Sequence, residues 1–356
     1  MKKIILLINI LAVIPLYSFN LKKLTTLETG MCPKSVIISK DGTKAYSMNL
    51  EGLSVYAFDV QSKKIDWKIV FFPTSAKGWD YKNKKPIDSF AEKPVEGALS
   101  HNGKFLWVSL HNGASVVVID TDFKTEFKGS VIKAKLYRGD SKNYEIVSVK
   151  KIPVGKTPKV IAVSPDEKWV YIANWHSHTV SVIDTESYEE IKQIKVTRVP
   201  RGMAFTPDGK YCYIANMGDS ILSLVDVNAN HKVIKTFYVG VTPRHVVISP
   251  DGKYLYISLN QAGEVVKFSI ETGKVIKKKY VGSNPRTLAL SGDGKHILVV
   301  QYYDQLVSLM SAESLEILEK YPTGTHPVGV TFTPDDSEAW VVNYSSSTIS
   351  VFKIIP

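Results

Sequence analysis

Five basic side chains recur at one fixed place in this sequence. Lys34, Lys159, Arg201, Arg244 and Arg286 each follow a proline that stands six residues before a Ser or Thr opening a turn. The two remaining prolines of the series, Pro94 and Pro327, are followed by Val95 and Val328. Guanidinium forks suit carboxylate and phosphate oxygens, and a cleft lined by one sign of charge concentrates anions. A second recurring position carries aromatics: Trp175 with His176, Tyr302 with Tyr303, and Tyr344, beside Leu50, His111, Met217, Asn260 and Gln261. Rings next to cations stack planar ligands or grip a peptide. The candidate ligand-binding set is therefore Lys34, Lys159, Arg201, Arg244, Arg286, Trp175, His176, Tyr302 and Tyr344. A packing role for the same residues stays open.

Catalytic candidates are fewer. Two residues after each proline stand Ser35, Glu96, Val160, Gly202, His245, Thr287 and Gly329, so Glu96 is the single acid of that series. Glu96 and His245 could face each other as an acid and a base. His245, His326 and His176 could also serve a redox group, and His176 and His178 at i, i+2 on a strand would face one way. No CxxCH, no GxSxG elbow and no P-loop glycine pattern occurs. The expectation is no metal and no cofactor, with haem or quinone as the alternative.

The elements that must position these residues repeat. Ser164–Asn174 (SPDEKWVYIAN) returns as Thr206–Asn216 and Ser249–Leu259, with weaker copies at Ser39, Ser100, Ser291 and Thr333. The third residue of each copy is Asp41, Asn102, Asp166, Asp208, Asp251, Asp293 or Asp335. These follow Pro or its substitutes in tight turns and read as turn formers. Each unit holds four short strands, blade size for a β-propeller. Seven units fill the chain, predicting an all-β, seven-bladed β-propeller over 19–356 in which Leu21–Leu27 supplies the missing outer strand of the last blade. A parallel solenoid is the alternative, since repetition alone does not prove closure. Excess residues fall at about 73–93, with Trp79 and Tyr81, as a lid on the candidate face, and at about 121–143, as a basic loop on the opposite face. The latter contains Arg138-Gly139-Asp140, read as a chance match to an integrin tripeptide.

The chain opens Met1-Lys2-Lys3 before an apolar run from Ile4 to Leu16, which predicts a signal peptide over 1–18. That run is too short to span a bilayer, so no transmembrane span is expected in the mature chain. Periplasm and cell surface both remain open. At 44% hydrophobic and 22% charged, the composition excludes disorder and a polytopic membrane protein. The formal charge of +11 favours anionic partners, although export argues against nucleic acid. Cys32 and Cys212 lie in different repeats and are expected as free thiols.

The pattern G-x-x-P-[KR]…[ST]-P-D-G-[KR]-x-x-Y-[IV]-[AS]-N…V-x-V-[IV]-D resembles the YVTN-repeat β-propellers of bacteria and archaea, among them YncE-like periplasmic proteins and surface-layer proteins. The resemblance covers essentially the whole mature chain. It implies the fold and little chemistry, because such propellers include lactonase-like enzymes, amine dehydrogenase subunits and haem d1 domains. The expected function is an exported, monomeric propeller whose basic, aromatic funnel recognises an anionic small molecule or protein partner. A lactonase-type hydrolase and a redox propeller subunit are the alternatives.

Overall fold

A computed structural model describes residues 20–80 and 83–355, so the expected signal peptide over 1–18 lies outside the described residues. Every repeat folds as antiparallel strands, and the marker proline is the first residue of each inner strand. Those strands are Pro33–Ile38, Pro94–Ser100, Pro158–Val163, Pro200–Phe205, Pro243–Ile248, Pro285–Leu290 and Pro327–Phe332, in blades 1 to 7. Each meets the inner strand of the next blade, and the last meets the first. The ring therefore closes around a central channel, and the solenoid alternative falls. Proline suits this place because a strand's first residue can lack a ladder donor. The residue before it is left-handed in six blades: Cys32, Thr157, Val199, Thr242, Asn284 and His326 have φ between 53 and 61°. Such backbone costs about 1 kcal/mol per residue. It turns the chain sharply into the inner strand and brings the residue after proline to the channel mouth.

At the opposite end, the Ser/Thr-x-Asp turns are self-contained. Ser164 Oγ donates to Asp166 at 2.6 Å and accepts from the Trp169 amide at 3.0 Å, while Asp166 accepts from the Lys168 amide at 3.2 Å. The same bonds recur around Asp41, Asp208 and Asp251. Between blades, Tyr46, Trp107, Tyr171, Tyr213, Tyr256 and Trp340 are buried. They join hydrophobic layers that span neighbouring blades, as where Trp340 of blade 7 meets Phe58 of blade 1 at 6.4 Å.

Asn20–Glu28 pairs antiparallel with Thr348–Ile355, Leu21 opposite Ile354 and Leu27 opposite Ile349, and completes blade 7. Leu21 is buried there. One expectation changes. Residues 121–143 do not simply hang as a loop, because Val131–Arg138 forms a strand that pairs with the outer strand Ile65–Phe71 of blade 1 and with Glu145–Pro153 of blade 2. Blades 1 and 2 thus share one nine-stranded sheet. Ala134 and Leu136 are buried at this seam, which explains why two otherwise open edges attract a strand. Arg138 ends that strand beside Glu145, and the Gly139 amide donates to the Asp66 carbonyl at 2.7 Å, so the Arg-Gly-Asp tripeptide closes a turn. The other excess segment is a hairpin of Ser75–Asp80 and Lys85–Phe90. Both cysteines are free thiols.

Candidate functional site

Three of the other four cations that follow the prolines act directly on Lys34. Burial pushes the Lys34 pKa down to about 7, and Arg286, Arg244 and Arg201 add repulsion. Lys159 is held well below the ordinary lysine range by burial, then by Arg201, Lys34 and Arg244. Burial also pulls Arg244 well down and Arg286 to about 10, with Arg201 the leading repulsive neighbour of each. A guanidinium keeps its proton under these conditions. The pull on the arginines is therefore a cost of holding positive charge in this place, a cost that an anion would relieve.

One carboxylate enters the group. Glu96 lies 3.7 Å from Arg201, with both side chains largely buried. Burial raises its pKa despite the opposing pull of Arg201, Arg244 and Lys159 and a hydrogen bond from Ser35. One acid therefore faces three of the five bases. Glu96 and His245 do line a common space, a channel of about 310 Å³ with Ser35, Val160, Thr287 and Gly329. These are the residues two after the prolines. Gly202 belongs to the same tier, and a Cβ there would lie 2.8 Å from His245 Cα, so the close approach of two inner strands requires glycine. Burial, with Arg201 and Arg244, pushes His245 to about 3. At neutral pH His245 is an uncharged imidazole and a weak base, which leaves Glu96 as the group with a pKa moved towards acid–base use.

The aromatic residues hold the cations rather than standing apart. Lys34 Nζ sits 3.9 Å over Tyr344, Lys159 Nζ 5.0 Å over Trp175, and the Arg286 guanidinium 3.7 Å over Tyr302. His326 stacks on Tyr302 at 4.4 Å and 11°. A cation and a parallel ring at those distances cannot occupy one side, so both faces of Tyr302 are covered. Trp175 meets His176 at 5.2 Å and 25° in a looser version. The Nδ1 atoms of His176 and His326 each lie 2.7 Å from a hydroxyl, of Thr157 and Ser345. Among the described residues, no three His, Cys, Asp or Glu side chains converge as a metal cluster would require.

Sequence reasoning grouped His111 with the aromatic loops but gave it no role. Burial and Lys159 keep it neutral, and its Nδ1 accepts from Lys159 Nζ at 2.8 Å. The hairpin brings Trp79 and Ile87 to the funnel mouth, where they line a hollow of about 210 Å³ with Lys34, His111, Lys159 and Tyr344. Ala76 and Trp79 stand three residues apart, as do Ile87 and Phe90, so no period-two pattern signalled that hairpin.

Comparison with known proteins agrees on the architecture. Over 101 residues the chain is 30% identical to hydrazine synthase subunit beta of Kuenenia stuttgartiensis, a match spanning 28% of this chain and only 26% of that protein. A chain of the solved Kuenenia stuttgartiensis hydrazine synthase superposes with a TM-score of 0.70 at 21% identity, covering 91% of this chain and 96% of the other. A chain of the mitotic checkpoint complex gives 0.73 at 14% identity, covering 100% of both. At such identities the likeness concerns the fold. The family described as lactonase, 7-bladed β-propeller, matches residues 16–189, 161–241, 189–332 and 240–356, and the chain is a member of that family.

Proposed function

We propose that this chain is an exported propeller of the YVTN type that binds an anion, a small molecule or an acidic segment of a partner, in its cationic funnel. The observation that carries this reading is the crowding of bases at the mouth: Arg201 alone stands beside Glu96, and the charged forms of Lys34, Lys159, Arg244 and Arg286 are disfavoured. A cluster kept only for packing would gain by exchanging such charges for neutral side chains. The apolar run behind Lys2-Lys3 supports export to the periplasm or cell surface, and the completed ring supports a monomer. Calorimetric titration with inorganic phosphate tests the reading. Binding that disappears in Arg201→Gln/Arg244→Gln/Arg286→Gln supports it, and binding retained in that triple variant overturns it.

A second reading follows from Glu96 and the family match. In a lactonase, Glu96 would deprotonate the water that attacks the lactone carbonyl, while the arginines would hold the developing carboxylate. Neutral His245 would have no part in the proton transfer. Hydrolysis of a lactone bearing an acidic group, lost in Glu96→Gln and unchanged in His245→Gln, would support this reading. The redox-subunit reading rests on the likeness to hydrazine synthase alone.

A further inference from the structure

The hairpin of Ser75–Asp80 and Lys85–Phe90 belongs to no blade. Among the described residues its two strands pair only with each other, Gly78 opposite Ile87 and Trp79 opposite Pro86. Its base is nevertheless fixed to the propeller. The buried Glu92 carboxylate accepts from the Thr74 amide at 2.8 Å, and Asn112 Nδ2 donates to Ser89 Oγ at 2.9 Å and to the Phe90 carbonyl at 3.1 Å. Gly78 lies so close that a Cβ would meet Ser89 at 3.0 Å and Asn112 at 3.4 Å. Held this way, the hairpin stands over the funnel between two hollows of about 210 and 360 Å³, and Trp79 and Gly78 line both.

The smaller hollow has a mixed lining. Lys34 and Lys159 supply charge, with His111 accepting a hydrogen bond from Lys159, and the Glu51 carboxylate there is already paired with Lys93 at 2.8 Å. Trp79 and Ile87 supply apolar surface, 43% and 40% exposed despite their size. The ring of Tyr302 is covered on both faces, whereas 43% of the Trp79 surface faces solvent. Positive charge sharing one hollow with an exposed indole and an aliphatic chain matches a carboxylate joined to a flat apolar body. A hollow of this volume takes one small ring and not a polymer.

We propose that the hairpin roofs a subsite for small aromatic monocarboxylates, with the carboxylate at Lys34 and Lys159 and the ring against Trp79 and Ile87. The proposal rests on the anion-binding reading and adds the ligand class. It is tested by titrating the purified full chain with benzoate and with acetate, in wild type, Trp79→Ala and Trp79→Phe. Wild type should bind benzoate about tenfold more tightly than acetate. Trp79→Ala should bring the two dissociation constants together without changing that for acetate, which also reports a folded funnel, and Trp79→Phe should keep most of the preference. Equal affinities in wild type, or equal weakening of both ligands by Trp79→Ala, overturns the roof while leaving anion binding intact. Failure of phosphate, acetate and benzoate alike to bind overturns the anion reading and the subsite together.

Discussion

The two ends of the propeller both carry a charged residue repeated around the ring, and physics treats the two sets oppositely. On the turn face, Asp41, Asp208 and Asp251 have their pKa values lowered, first by hydrogen bonds from the Ser or Thr two residues earlier. Their charged forms are stabilised within five residues of sequence. On the funnel face, Lys34, Lys159, Arg244 and Arg286 are also pulled down, but for a base this means that the charged form is disfavoured. A repeated charge satisfied by its own turn is explained by folding. One that its surroundings oppose calls for something folding does not supply.

The largest expected effect comes from removing the funnel charge. Arg201→Gln/Arg244→Gln/Arg286→Gln should lose phosphate affinity by at least about a hundredfold, or about 3 kcal/mol. In Arg244→Gln/Arg286→Gln, which keeps the Arg201–Glu96 pair, Tm in calorimetry should rise by about 2 °C per substitution as repulsion is relieved. A falling Tm would assign the arginines to packing and erase the contrast.

Proton linkage comes next. Anion affinity should fall as pH rises through about 7, by up to about tenfold per unit, as Lys34 loses its proton, and the slope should flatten in Lys34→Met. Stability has the opposite sense. Between about 7 and the ordinary lysine value of 10.5 the unfolded chain binds the proton that folded Lys34 lacks, so this residue's contribution to stability rises with pH across that window. Chemical denaturation at pH 6.5 and 9 checks the sign by comparing wild type with Lys34→Met.

Glu96→Gln should tighten phosphate binding by about fivefold, because the carboxylate beside Arg201 competes with the ligand. Unchanged binding would mean that the anion sits away from Arg201. The smallest effect belongs to the turn face. Asp251→Ala should lower Tm by about 2 °C through lost turn hydrogen bonds and leave phosphate affinity unaltered.

The placement of the cations was legible because their spacing from proline is fixed, and proline fixes where an inner strand begins. Their pairing was not. Nothing in the linear order says that Glu96 meets Arg201, or that Tyr302 is enclosed between Arg286 and His326. Those contacts join residues from 16 to 105 positions apart, within a blade or across the ring.

Local chemistry and repetition are enough to write the turns, the strand periods, the seven inner-strand starts and the strand left over at Leu21. Features that need two distant edges to meet arise only on folding. Val131–Arg138 became a strand because blades 1 and 2 each offered an unpaired edge, and no short-range signal encodes a partner that lies across a blade boundary. The electrostatics of the funnel arose in the same way. Each Lys or Arg is ordinary in its own repeat, and only ring closure gathers them into a small, poorly hydrated mouth where their charges oppose one another.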